Sequence, residues 1–305
     1  MFLFWRLIRK RNSSRARELL IVRKKKGKIY SLPIACYESR AEATLSLIES
    51  ACAGDQVPDF KNILVYTGDW GKQHFLGKPV FSYSADNGDY SRVCPDFVFG
   101  HWKEVGQADY EITRQAMSEN GKRPATTDKL GWIGSTFRSM PVHGKIISVV
   151  VRDQLLEISA KHPELIEAID VSWSRDKPLL TDTPRFISMP DQVSRWKFLI
   201  DVEGLGYSAR FKLLLFSRRV VFLVDRPWKE WFYQDIIPWK HYVPVKRDLS
   251  DLLENLKKVS KDQALADRIA NDGYEFALAN LTRDHAVKRW RELLLGVSSG
   301  SNPSL

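Results

Sequence analysis

The chain has 305 residues, 44% of them hydrophobic, with ten tryptophans and a formal net charge of +10. That length implies one large or two ordinary domains with ample core material, and no stretch approaches the twenty consecutive apolar residues of a membrane-spanning helix. Cys36, Cys52 and Cys94 lack metal-ligand spacing and make a poor disulfide framework, which favours a reducing compartment.

Residues 2–11 are predicted as a short helix that 15–22 extend. Residues 1–28 hold eleven Lys or Arg and one Glu, while the remaining 36 bases and 36 acids cancel. A basic arm behind Phe2, Leu3, Phe4 and Trp5 suits an anionic membrane surface, or a solvated terminal helix. The neutral body argues against a nucleic-acid groove, and the sequence carries no nucleic-acid recognition motif. The opening is a weak secretory signal, because its apolar run precedes its charges and no small-residue cleavage site follows.

Lys28 to Pro33 reads as a strand. Ser39 and Glu42 have capping-box spacing before a helix reaching Cys52. Lys61 to Tyr66 is a strand with Asp69 beyond its carboxyl end, and Pro79–Ser84 and Pro95–Phe99 are shorter strands. Asp86, Asp89 and Asp96 fit no cation-binding spacing and read as turn residues. Residues 105–119 are helical, and the polar segment 120–129 is the best domain boundary. Leu130 to Ile133 restarts as a strand, followed by a Gly134-Ser135 turn, a helix from His143 to Ser159 and a strand from Ile166 to Val171. Ser250 and Ser260 are candidate caps for the helices that follow residue 250, and 298–304 is a flexible tail.

The organising stretch is 198–247. Strand Phe198–Val202, the turn Glu203-Gly204-Leu205-Gly206, helix Ser208–Phe216 and strand Val220–Val224 form a β-α-β unit. Such a corner offers free N–H groups to an anion, with Arg210 in the first helical turn beside them; a capping turn with a surface arginine is the alternative. Trp228, Trp231, Phe232 and Tyr233 either stack on a ligand or pack between domains, packing being preferred. His241 is expected to be buried and hydrogen-bonded, and His101 to lie near a cleft strand end. Alternating strands and helices with a break near 125 imply two α/β layers facing one cleft, with ligands beyond the carboxyl ends of strands.

These segments resemble glycosyltransferase family 90, the lipopolysaccharide-modifying glycosyltransferases to which protein O-glucosyltransferases belong. KFLIDVEGLGYSARFKLLLFSRRVVF and WKEWFYQDIIPWKHYVPVKRDLSDL carry the resemblance most specifically, with GWIGSTFR at 131–138 and VYTGD at 65–69, and it spans roughly 28–294. It implies a GT-B-like α/β fold of two Rossmann-like domains facing a central cleft. The N-terminal, acceptor-side domain would be 1–127, the nucleotide-sugar domain 128–280, and 281–305 a helix and tail. It implies inverting transfer from a UDP-sugar, as donor substrate rather than bound cofactor, to a glycan hydroxyl, without metal. By motif, Asp69 is the general base. Ser135, Arg138 and the loop Gly204, Leu205, Gly206, Tyr207, Ser208, Ala209 and Arg210 hold the donor. Tyr207 and Ala209 depart from the small residues and phenylalanine of the glucosyltransferase branch, which bears on donor sugar identity. Thr67-Gly68 and Trp70-Gly71 depart from the usual flanks of the aspartate, which keeps open a catalytically inactive carbohydrate-binding or scaffold protein on the same fold. A cytoplasmic location, peripheral at the inner face of a membrane, is expected, with a luminal location as the alternative.

Overall fold

The computed structural model describes residues 18–86, 88–136, 140–142, 145–147, 150–171 and 180–299. Leu19–Lys25 (β1) and Lys28–Ile34 (β2) form an antiparallel hairpin, and β1 pairs antiparallel on its other side with Phe60–Tyr66 (β3). A small hairpin of His74–Phe75 (β4) and Lys78–Pro79 (β5) leads to Phe81–Ser82 (β6), which runs parallel to β3. The helical extension expected over 15–22 is therefore a strand from Leu19 onward. Leu19, Leu20, Ile21 and Val22 are all buried, as a central strand covered on both faces requires, whereas an amphipathic helix would leave one face wet. The predicted helix at 2–11 lies outside the described residues.

Glu38–Cys52 (α1) packs on this sheet. Its expected capping box does not form: Tyr37 is the N-cap, Ser39 Oγ donates to Glu104, and Glu42 pairs with Lys103. Pro95–Phe99 is likewise no strand, because the Asp96 carboxylate accepts from the Val98 N–H and curls the chain into a 3-10 turn over Phe97–Phe99. Tyr110–Gly121 (α2), capped by Asp109, leads into the second half.

There, Thr127–Gly134 (β7) precedes a hairpin of Met140–Val142 (β8) and Lys145–Ile147 (β9), helix Val150–Lys161 (α3), and Ile166–Asp170 (β10). Met189–Arg195 (α4), Trp196–Asp201 (β11), Phe211–Leu214 (α5), Val220–Val224 (β12) and Val243–Val245 (β13) follow. All five main strands are parallel, in the order β10-β7-β11-β12-β13. The winding direction reverses between β7 and β11, and in such sheets a ligand crevice opens there, beyond the carboxyl ends. Gly131 on β7 is required by packing: a Cβ would lie 1.8 Å from the Trp196 ring.

The helix expected over Ser208–Phe216 shrinks to Phe211–Leu214 plus a 3-10 turn, so Arg210 is the residue before the helix rather than within its first turn. Leu252–Lys261 (α6) and Gln263–Asn280 (α7) start after Asp251 and Asp262, not Ser250 and Ser260; Asp262 accepts from the Leu265 N–H. Arg283–Ser298 (α8) returns to the first half, where Trp290 Nε1 donates to the Pro95 carbonyl and Arg291 to that of Ala51. One core runs through both halves. The mixed sheet and the parallel sheet, each with its helices, face one cleft in a GT-B-like α/β architecture.

Candidate active site

A cavity of about 320 Å³ lies where the carboxyl ends of β3, β7 and β11 converge. It brings together Asp69, Ser135, Gly204, Leu205, Tyr207, Ser208, Ala209 and Arg210 of the predicted site. Gly206 does not line it, and Arg138 lies outside the described residues.

Asp69 follows β3, where the strand ends and its side chain is one-third exposed. Arg40, from α1, reaches its Oδ1 at 2.8 Å and also donates to the Thr67 carbonyl. The Arg40 guanidinium is packed over Tyr37 and Phe97, at 5.1 and 4.7 Å from their ring centres. Burial works against this cation, yet Asp69, followed by Tyr207 and Tyr83, raises its pKa above the ordinary arginine value. Arg40 thus stays charged and fixes the carboxylate through one oxygen.

The opposite wall is cationic. Arg152, in the first turn of α3, donates from Nη1 to the Ser135 carbonyl and from Nε to that of Glu203, bridging the ends of β7 and β11. Arg210 donates to the Ile133 carbonyl, and its Nη2, buried, has no hydrogen-bond acceptor among the described residues. Arg226 lies behind them and binds the fully buried Asp201 at 2.8 Å. Asp201 also accepts from Ser208 Oγ, and Arg210 approaches it to 3.6 Å. Glu203 turns away to Arg247. Arg226 and Arg210 therefore share one buried carboxylate, whose charge Arg152 also feels. Burial, then Arg210, lowers the Arg152 pKa to about 10 against the pull of Asp201; burial lowers that of Arg210 too, with Arg226 opposing its charge. An anion in the cleft would balance this surplus.

The predicted loop has divided tasks. Gly204, Leu205 and Ala209 line the cavity, while Ser208 is an internal ligand of Asp201. Gly206 is required by close approach: a Cβ there would lie 1.7 Å from the Asp69 carbonyl oxygen. Asp96, read as a turn residue, is buried and binds Lys212. Trp228 meets Trp70 across the two halves, and Phe232 stacks on Phe211, so this aromatic cluster packs. His241 is buried, accepts the Ile237 N–H at Nδ1 and stacks on Phe276. Among the described residues no group of three His, Cys, Asp or Glu is placed to hold a metal ion.

A profile described as "Glycosyl transferase family 90" matches residues 7–299. The chain belongs to that family. This family 90 chain is 35% identical to "Protein O-glucosyltransferase 1" of Rattus norvegicus over 47% of its own length and 37% of the relative's. It is 30% identical to "O-glucosyltransferase rumi" of Drosophila melanogaster over 74% of its length and 55% of the relative's. It thus spans 37% to 55% of the length of these curated relatives. Among solved structures, TarM aligns over 56% of the chain and 36% of its own, at TM-score 0.39 and 13% identity.

Proposed function

We propose that this chain transfers a sugar from a UDP-sugar to a hydroxyl of a glycan, with inversion at the anomeric carbon. The observation that carries the reading is the cationic wall, Arg152 and Arg210 with surplus charge, facing the Asp69 carboxylate across one cavity. The donor diphosphate lies on the arginines and the loop end of β11; the acceptor enters on the Asp69 side. Asp69 takes the acceptor hydroxyl proton on the oxygen that Arg40 leaves open. The oxygen attacks C1, the bond from C1 to the diphosphate breaks, and UDP departs with the electron pair onto Arg152 and Arg210. Family membership and the O-glucosyltransferase relatives support this donor class.

The test is UDP release from a panel of UDP-sugars with glycan acceptors, with and without EDTA. Donor-selective release that survives EDTA is expected. Glycan binding with no release from any donor, although UDP binds, would replace the enzyme by a binding protein on this fold. Arg152→Ala is expected to weaken UDP binding by about 10- to 100-fold, as loss of a charge-assisted contact predicts; unchanged affinity by calorimetry would remove Arg152 from the diphosphate site.

The described part of the basic segment supports a second contact. The β1–β2 turn exposes Lys25, Lys26 and Lys28, is fixed by Asp59 through the Lys26 and Gly27 N–H groups, and stands next to the exposed Tyr30 beneath Arg23. We place an anionic bilayer surface there, at the pole away from Asp69, for a cytoplasmic protein. Each lysine contributes about 1 kcal/mol at such a surface. Replacing Lys25, Lys26 and Lys28 by glutamate should abolish sedimentation with phosphatidylserine-containing vesicles; retention on them would refute the assignment. No helix of the described residues is long and apolar enough to cross a membrane.

A further inference from the structure

Tyr207 lies in the loop read as a phosphate cradle, but its side chain points across the boundary between the two halves. Its hydroxyl donates to Asp96 Oδ2 at 2.8 Å, and its ring, 4% exposed, packs against Tyr83 at 6.1 Å between centroids. Its backbone N–H donates to the Asp69 carbonyl at 3.1 Å. Both acceptors belong to the first half, and Tyr207 to the second. Asp96 is itself anchored, by its bonds to the Val98 N–H and to Lys212 Nζ. Gly206, without a side chain, lets the loop lie directly on the Asp69 carbonyl.

We propose that Tyr207 is a positioning residue, a clamp that locks the donor loop onto the strand end carrying Asp69 and so sets the distance from base to anomeric carbon before any ligand binds. This rests on the glycosyl-transfer reading above for its consequence, though not for the clamp itself. The physical argument is one of registry. Asp69 carries the base, and Arg210, three residues beyond Tyr207, carries the leaving-group cation. Besides the Trp70–Trp228 contact next to Asp69, the short path Asp69 carbonyl, Tyr207 N–H, loop, Arg210 links the two groups directly. A side chain buried and bonded at both its ends holds that path rigid, and near-attack geometry is sensitive to displacements of about 1 Å. The aromatic residue at 207 gives this chain a clamp anchored in the first half.

Tyr207→Phe removes the hydroxyl and keeps the ring and the N–H. Two measurements on the full chain decide the matter. The first is amide hydrogen exchange without nucleotide. The clamp predicts at least roughly tenfold faster exchange in the variant for 204–208 and 69–71, with β11 and β12 unchanged. The second is steady-state kinetics. The turnover number is expected to fall on the order of 10- to 100-fold while donor KM and UDP affinity stay within about threefold. A structural role alone would lower the melting temperature and leave the turnover of folded protein intact. Wild-type exchange in the variant, or unchanged turnover in an active protein, overturns the clamp. If the wild type releases UDP from no donor, the transfer reading fails and the exchange experiment still decides the clamp. Gly206→Ala serves as the second variant: its methyl group must displace the loop from the Asp69 carbonyl, so it should reproduce the exchange phenotype with Tyr207 intact.

Discussion

Asp69→Asn is expected to lower turnover by about three orders of magnitude while UDP binds within roughly threefold of wild type. The magnitude is that of removing a positioned general base. Asparagine keeps an oxygen for Arg40 Nη1, which lies 2.8 Å from the native Oδ1, and its backbone carbonyl still accepts from Tyr207. The geometry is therefore conserved while the proton acceptor is lost. The arginines proposed to hold the diphosphate lie on the other wall, so calorimetry with UDP should report an intact site. Turnover near the wild-type level would show that Asp69 is an anchor for Arg40 and the donor loop only, and the proton would have to leave by another group. The substitution also leaves the Arg40 guanidinium, sandwiched near Tyr37 and Phe97, without its counter-ion, so some thermal stability should go with the activity.

How far the site was legible depends on where its residues get their meaning. The parallel strands of the second half announce themselves as short apolar runs bounded by glycine or charge, as in Val220–Val224, every residue of which is buried. Asp69 and the loop from Gly204 to Arg210 could be placed because each sits one step past such a run. Arg40 could not, since its partner is distant in sequence and nothing in an amphipathic helix singles out one arginine. Arg152 could not either: in a helix read from His143 it falls in the interior, and only the start of α3 at Val150 places this cation in a first turn, where the helix dipole opposes it and carbonyls compensate. Gly206 stands out in the sequence through the chemistry of phosphate loops, while its steric contact with Asp69 is one that only the assembled halves reveal. The strand at Leu19–Lys25 was misread for a related reason. Four apolar residues in a row satisfy helix and buried strand alike, and the choice is made by the β2 and β3 partners on either side. Lys212 had the clearest unused signal, a lone lysine in the run Phe211-Lys212-Leu213-Leu214, where a charge must be either solvated or paired.

It is paired, and the pairing gives the largest expected effect on stability. Lys212 Nζ lies 2.9 Å from Asp96 Oδ2 and 2.6 Å from Glu230 Oε1, and the three side chains are essentially inaccessible. Two carboxylates meet one ammonium. Burial raises the Glu230 pKa to about 8 from 4.5, with Lys212 pulling it down and Asp96 pushing it up. The folded state therefore holds a proton between pH about 4.5 and about 8 that the unfolded chain releases. Its contribution is complete below the lower value and disappears as pH rises through the upper one, so stability should decline across that window. Glu230→Gln keeps an oxygen for Lys212 and removes the titration. Urea unfolding as a function of pH should show a flatter slope for the variant, and greater stability than wild type above pH 8; parallel curves would mean that Glu230 titrates normally. Lys212→Met acts in the opposite sense. It strands Asp96 in the interior with Tyr207 as its remaining side-chain donor, and breaking a buried pair from one side costs about 3–5 kcal/mol. A loss below about 1 kcal/mol at neutral pH would show that the cluster is neutral there by another route. Because Asp96 also receives the Tyr207 hydroxyl, Lys212→Met should loosen the donor loop as well as the fold, whereas Glu230→Gln should leave the loop as it is.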